Sequence, residues 1–471
     1  MSLMNNGNAV DRVIQDLRGL ALAAAPGTRL PSVRELTARH QASPVTVAEA
    51  IRQLAVQGVL EARPGKGTFA AAPAPDERRV PDLSWQTVAL GAALPGEQEL
   101  QALLAIPPAG AIALSGGYLD ADLQPAAALG AALTRAARQP AAWQRGPVEG
   151  RADLRDWFAR EAGGGLRAED MVICPGGQAA LSTALRALAA PGDTLLVESP
   201  TYLGALAAAR AAGLRVVPVP ADADGVRPDQ LAAAFARTGA RLFYCQPLYA
   251  NPHGATLAAH RRADVADAGR AAGAFLIEDD YARDLTIDGE PPAPLAAGDP
   301  DGHVVYLRSL TKSTAPGMRV AAIGARGPAG ARLRAARLLD DFFVSGPLQQ
   351  AALEFVTSPA WSRHRRTLRT ALRDRREALL SALSRHLPDL VPARIPRGGL
   401  HLWAPLPGGT DDTALAAAAA ASGVVVFPGR PWYAAEPPAP HLRLTYAATP
   451  PALIPEAVIR LAQAMKGRAP S

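Results

Sequence analysis

His303-Val304-Val305-Tyr306-Leu307-Arg308-Ser309-Leu310-Thr311-Lys312 is the stretch on which the fold turns. A β-branched and aromatic run passes into a short polar segment, the pattern of a buried strand running out into a loop. The same kind of run recurs upstream in Met171-Val172-Ile173, Thr194-Leu195-Leu196-Val197, Leu242-Phe243-Tyr244 and Phe275-Leu276-Ile277, with alanine-rich helical stretches between. Strands alternating with helices predict an α/β unit with a mainly parallel sheet. From about residue 111 to the end, the chain is long enough for one large lobe and a smaller C-terminal lobe.

Working outward, residues 1–72 read as a separate compact module. Val10, Ile14, Leu17 and Leu20 recur at helical spacing, and Pro26-Gly27 ends that helix. Ser32 and Glu35 have capping-box spacing for a second helix. Ser43 caps a third, with Pro44 at its first position and Val47, Ile51 and Leu54 inward. Val59–Arg63 and Thr68–Ala70 then make two strands around the turn Pro64-Gly65-Lys66-Gly67. Three helices and a hairpin make a winged helix-turn-helix. In that motif the start of the recognition helix reaches base edges, here Ser43, Val45, Thr46 and Glu49, while Arg34, Arg63 and Lys66 are placed for phosphates. Residues 73–110 contain Pro73, Pro75, Pro81, Pro95, Pro107 and Pro108 and the charged run Asp76-Glu77-Arg78-Arg79. This segment reads as a partly extended linker, of which Trp85 is expected to pack against something.

Composition narrows the function classes. At 49% hydrophobic and 20% charged residues, the 471-residue chain is neither disordered nor collagen-like. Cys174 and Cys245 are its two cysteines, which excludes a disulfide framework and points to a reducing compartment. No cysteine–histidine cluster has zinc spacing. The first residues lack a signal-peptide pattern, and Thr413–Gly429 breaks at Gly423 into a helix, a turn and a strand rather than a membrane span. The expectation is a cytoplasmic protein with no membrane partner. The net charge of +6 is concentrated: residues 1–79 hold ten basic and seven acidic residues, the balance of a nucleic-acid-binding head on a near-neutral body.

Of 49 basic residues, only Lys66, Lys312 and Lys466 are lysines. A lysine that forms a Schiff base cannot be exchanged for arginine, whose guanidinium is always charged and not nucleophilic. Other groups at strand ends suit the same chemistry. Pro175-Gly176-Gly177-Gln178 follows a strand and opens a helix, an arrangement that takes a phosphate. Tyr202 follows another strand and is placed to stack on a pyridine ring, and Asn251 sits in a loop where it can bond a phenolic oxygen. Phe275–Tyr281 ends in carboxylates, one of which can keep a pyridinium nitrogen protonated.

Two resemblances follow from these residues. Pro26–Leu36, with Ser43, Thr46-Val47 and Gly58–Phe69, resembles the GntR-family winged helix, except that Pro44 stands where that family usually has arginine. Residues 111–460 resemble fold-type-I pyridoxal 5′-phosphate enzymes of the aspartate aminotransferase group. That resemblance implies Lys312 as the Schiff-base lysine, Asp279 (or Asp280) as pyridinium partner and Tyr202 stacked on the ring. Asn251 and Tyr281 would flank the ring hydroxyl, and Gly177, Gln178, Ser309 and Arg319 would hold the phosphate. Arg443 would take a substrate carboxylate by a two-pronged contact. Arg145 stands where a tyrosine normally reaches the partner subunit's cofactor, and His253 and His401 receive no role. The combination is that of the MocR-like regulators. It implies a head-to-tail homodimer that binds double-stranded operator DNA and senses an amino compound, or the cofactor itself, through Schiff-base exchange at Lys312. The competing reading is a working aminotransferase with an accessory DNA-binding module; a third, a regulator that keeps the fold without the cofactor, sits poorly with so complete a set of site residues.

Overall fold

The computed structural model describes residues 6–72, 82–91 and 97–467. The chain divides into two compact units, Met1–Ala92 and Ala93–Ser471. In the first, helices α1 (Asn6–Ala23), α2 (Val33–His40) and α3 (Pro44–Val56) precede the hairpin of β1 (Leu60–Arg63) and β2 (Gly67–Ala70). The capping box forms as expected: Ser32 Oγ accepts from the Glu35 amide at 3.3 Å, and Glu35 Oε2 accepts from the Ser32 amide at 2.7 Å. Ser43 Oγ accepts from the Thr46 amide at 3.1 Å, so α3 starts where Pro44 is tolerated. On α1 the buried stripe is Val13, Leu17 and Ala21, with Val10, Ile14 and Leu20 only partly covered. The apolar arc of α1 is broad, and the packing of α3 rather than periodicity selects its centre. In the hairpin, Arg63 lies opposite Gly67, which has φ +114°. A Cβ there would press on Arg29 Nε at 3.1 Å, so glycine is required at that bend.

The expected extended linker is partly helical. Its prolines Pro73, Pro75, Pro81 and Pro95 and its charged run Asp76–Arg79 lie outside the described residues. Between and after them are α4 (Ser84–Leu90) and α5 (Glu97–Leu104). Trp85 is 62% exposed, so it does not pack as expected. No proline falls inside either helix, and good helix formers such as Leu100, Gln101 and Ala102 outweigh the segment's overall composition.

The second unit is built on an eight-stranded sheet of β4 (Met171–Cys174), β5 (Thr194–Ser199), β6 (Arg215–Asp222), β7 (Gly225–Val226), β8 (Leu242–Cys245), β9 (Phe275–Asp279), β10 (Val304–Ser309) and β11 (Ala321–Gly324), preceded in the chain by the two-residue strand β3 (Ile112–Ala113). The strand order is β4-β11-β10-β9-β8-β5-β6-β7. The pairs from β10 through β6 are parallel, whereas β11 runs antiparallel between β4 and β10. Successive strand residues feed opposite faces: Leu195 and Val197 join one apolar cluster and Leu196 the other. Among the helices of this unit, α6 (Ala126–Ala137) and α7 (Ala152–Ala162) cover one face. Helices α8 (Gly177–Leu188) and α9 (Leu203–Ala211) cover the other.

A smaller lobe has its own core beneath the helices Pro359–His386 and Ile454–Lys466. Its strands are β12 (His401–Pro405), β13 (Val424–Val425), β14 (Phe427–Pro428) and β15 (His441–Thr445). The antiparallel order β12-β15-β14 sets Trp403 opposite Arg443 and His401 opposite Thr445. Both cysteines are buried thiols. Among the described residues, no helix is long and apolar enough to cross a membrane.

Candidate functional site

Ligands of open α/β sheets sit outside the carboxyl ends of the strands. Here a cavity at the ends of β4, β5, β8, β9 and β10 is lined by Gly177, Gln178, Tyr202, Asn251, Asp279, Tyr281, Ser309, Lys312, Arg319 and Arg443. Ten residues spread over some 270 positions of sequence are thus brought to one place. Lys312 lies three residues beyond the end of β10. Its Nζ donates to the Gly117 carbonyl at 2.7 Å and lies 3.6 Å from the centre of the Tyr118 ring. Neither contact is anionic. Burial first, then the Arg443 and Arg319 cations, pull its pKa down to about 7 against the opposing pull of Asp279. A large share of this amine is therefore neutral near pH 7, the form that attacks a carbonyl.

Asp279 closes β9. Its Oδ2 accepts from Tyr244 Oη at 2.7 Å and Gln246 Nε2 at 2.9 Å. Burial raises its carboxyl to about 6, and those two hydrogen bonds act against the rise. Asp280 is spent elsewhere: it accepts from Tyr306 Oη at 2.7 Å and forms a buried ion pair with Arg283. The two carboxylates left open by the sequence are thereby separated, with Asp279 on the cavity.

The same cavity contains an anion cradle. Helix α8 begins at Gly177 behind Gly176, whose φ is +104°. A Cβ on Gly176 would collide with the Arg319 guanidinium, and one on Gly177 would lie 3.4 Å from Ser309 Cβ. Arg319 itself has φ +41°, a strained conformation of the kind held at functional sites. Ser309 Oγ accepts from the Thr311 amide at 3.2 Å, while Thr311 Oγ1 is buried with no hydrogen-bond partner. A helix N-terminus, a guanidinium and an unsatisfied hydroxyl together suit a phosphate. The Gln178 side chain is bonded within the chain: its Nε2 donates to the Gly204 carbonyl at 2.9 Å and its Oε1 accepts from Tyr202 Oη at 3.1 Å, which fixes the Tyr202 ring.

Arg443 on β15 is 1% exposed. Its Nη1 donates to Asn251 Oδ1 at 3.3 Å, its Nη2 to the Ser115 carbonyl, and its Cζ lies 4.4 Å from the centre of the Trp432 ring. None of these partners is negative, and Nε has no partner at all. Burial draws this guanidinium down to about 9. A buried cation with no counter-ion is a site prepared for an anion. Tyr281 Oη donates to the Tyr249 carbonyl at 2.7 Å. Sequence reasoning missed Gly117, Tyr118, Thr311, Gln246, His401, Leu103 and Leu104, all of which line the same cavity. Of these, Thr311 alone had a local signal, a hydroxyl beside the lysine. Arg145 is exposed and lines no part of the cavity.

On the winged helix, Arg34, Val45, Arg63 and Lys66 are exposed, Val45 by 78%. Ser43 Oγ and Thr46 Oγ1 instead lie 2.8 Å from each other, and Thr46 is buried. The two hydroxyls expected to reach base edges are committed to the cap in this structure. Arg63 Nη2 donates to Glu61 Oε2 at 2.8 Å and its Cζ sits 4.6 Å from the centre of the Phe69 ring.

Comparison with known proteins assigns both units. The profile of aminotransferase class I and II matches residues 114–461. The chain belongs to that family. Residues 6–70 match bacterial regulatory proteins of the gntR family, so a GntR winged helix precedes the class I and II aminotransferase unit. The chain is 28% identical over 435 residues to the uncharacterized HTH-type transcriptional regulator YdfD of Bacillus subtilis, covering 89% of this chain and 88% of the relative. It is 29% identical over 461 residues to the HTH-type transcriptional regulator TauR of Rhodobacter capsulatus, covering 94% and 93%. Among solved structures, LysN of Thermus thermophilus, an α-aminoadipate aminotransferase complexed with N-(5′-phosphopyridoxyl)-L-leucine, superposes with a TM-score of 0.73 at 30% identity. That likeness covers 82% of this chain and 99% of LysN. The aminotransferase cavity of the present chain fits pyridoxal 5′-phosphate: it brings together an amine with no anionic partner, a buried carboxylate at the end of β9, an aromatic ring, and a cradle with an orphaned hydroxyl for the phosphate.

Proposed function

We propose that this protein is a pyridoxal 5′-phosphate-dependent, DNA-binding transcriptional regulator that responds to an amino compound. The observation that carries the reading is the Lys312 amine, its pKa drawn down to about 7 in a cavity with a phosphate cradle and an unpaired arginine, in a chain that also has a GntR head. Gly177, Ser309, Thr311 and Arg319 would hold the phosphate, with Gln178 positioning Tyr202. Tyr202 would pack on the ring, Asn251 and Tyr281 would flank its hydroxyl, and Asp279 would keep the ring nitrogen protonated. When bound, the cofactor supplies an aldehyde, for which Lys312 and an incoming amino compound compete, and a ring that accepts electrons. Arg443 orients the incoming compound by its carboxylate.

A ligand shifts this protein only by its differential affinity for two arrangements. Leu103 and Leu104 of α5 line the cavity near the start of the second unit, so an occupant of the cavity contacts that helix directly. Double-stranded operator DNA, a cytoplasmic location and a head-to-tail homodimer with two half-sites belong to the same proposal. A working aminotransferase is the second reading, favoured by the presence of Lys312, Asp279, Tyr202 and Arg443 in one cavity.

The test is a visible spectrum of purified protein before and after borohydride, with Lys312→Ala alongside, followed by operator binding titrated with amines. The expected result is a borohydride-sensitive band in the native protein that Lys312→Ala loses, and operator affinity that changes with an amine. A native protein without the band, or a variant that keeps it, overturns the cofactor assignment. Catalytic conversion of amino donors and keto acids with no effect on operator binding would establish the second reading.

A further inference from the structure

His401 opens β12, on the strand next to Arg443 in β15. His401 pairs with Thr445 and Trp403 with Arg443, so His401 and Arg443 are diagonal neighbours on one face of the small sheet. Both line the cavity that holds Lys312. The histidine is 4% exposed, and its Nδ1 is buried without a hydrogen-bond partner. An unpaired buried nitrogen is destabilising, and this one borders a cavity where a ligand can pair it. Arg443 beside it has an unpaired Nε. Two adjacent, unsatisfied, nitrogen-bearing groups on one wall of a cavity have the chemistry to receive an oxygen-rich anion together.

We infer that His401 is a specificity-determining residue that hydrogen-bonds the carboxylate placed on Arg443, so that the pocket selects amino acids over simple amines. Burial and the nearby Arg443 and Lys312 cations hold the imidazole well below its usual range, hence neutral. A neutral imidazole has one N–H to give and adds no further positive charge to a pocket that already contains Arg319, Arg443 and Lys312. Arg443 fixes the carboxylate by charge, and His401 fixes its rotation. This inference rests on the proposed function, since it takes the amine end of the ligand to lie at the Lys312 end of the cavity.

The experiment uses the full-length protein loaded with pyridoxal 5′-phosphate and two probes that differ only by a carboxylate, L-leucine and 3-methylbutylamine. Binding is followed by absorbance and by calorimetry for the native protein, His401→Leu and His401→Gln. His401→Leu should weaken L-leucine about tenfold and leave 3-methylbutylamine within about twofold, while His401→Gln, which keeps an N–H, should restore most of the loss. Equal weakening of both probes marks a merely structural histidine and overturns the inference, as does unchanged affinity for both. A native protein that shows no imine band overturns the cofactor reading itself. A native band that neither probe perturbs overturns carboxylate selection while leaving the cofactor in place.

Discussion

The Lys312 amine has a titration with a readable consequence. Its pKa is lowered to about 7 by burial and by Arg443 and Arg319. Below that pH the ammonium form dominates and cannot attack a carbonyl; above it the free amine dominates. The rate at which cofactor-free protein takes up pyridoxal 5′-phosphate should therefore fall by roughly tenfold per pH unit below about 7 and level off above it. Stopped-flow absorbance across pH 5–9 measures this. An ordinary lysine, with its midpoint above pH 10, would give a rate still climbing at pH 9. Lys312→Arg should take up no cofactor covalently at any pH, because guanidinium stays charged.

At the scale of elements, the turn from β4 into α8 is the most exposed to test. Gly176 adopts φ +104°, and a Cβ there would meet the Arg319 guanidinium. Gly176→Ala should weaken cofactor retention by at least about tenfold, since the backbone strain alone is worth on the order of 1–3 kcal/mol. Equilibrium dialysis against pyridoxal 5′-phosphate reads the loss, and a cradle elsewhere in the molecule would leave retention unchanged. How legible each element was depends on how local its cause is. The capping box of Ser32 and Glu35 and the cap at Ser43 span three residues, and both formed where the sequence placed them. The strand runs before Asp279 and Ser309 were likewise readable, because burial on both faces of a parallel sheet leaves a continuous apolar run. Leu103, Tyr118 and His401 carry no such mark: they meet at the cavity through packing between segments far apart in the chain. The helices α4 and α5 were hidden by the prolines around them, and the centre of α1 by the breadth of its apolar face.

Over the whole molecule, the charges on the head predict how it meets DNA. Arg63 and Lys66 are exposed on the wing, and Arg34 is exposed on α2. Each phosphate contact releases counterions, so the logarithm of affinity falls linearly with the logarithm of salt. Lys66→Glu and Arg34→Glu should each weaken operator binding across sequences and reduce that slope by about one. Filter binding or fluorescence anisotropy between low and moderate salt tests this, and an unchanged slope removes the residue from the phosphate set. Arg63 is a sterner case, because it already pairs with Glu61, and its substitution also releases that carboxylate.

Helix α5 is eight residues long and follows soon after the boundary between the two units, with Leu103 and Leu104 on the cavity wall. Wound up, eight residues span about 12 Å; drawn out, they reach about 27 Å. A guest too bulky for those two leucines would have to unseat them, and unwinding the helix would lengthen that segment by about 15 Å. Guest size would then be registered as a change in the length of this one segment.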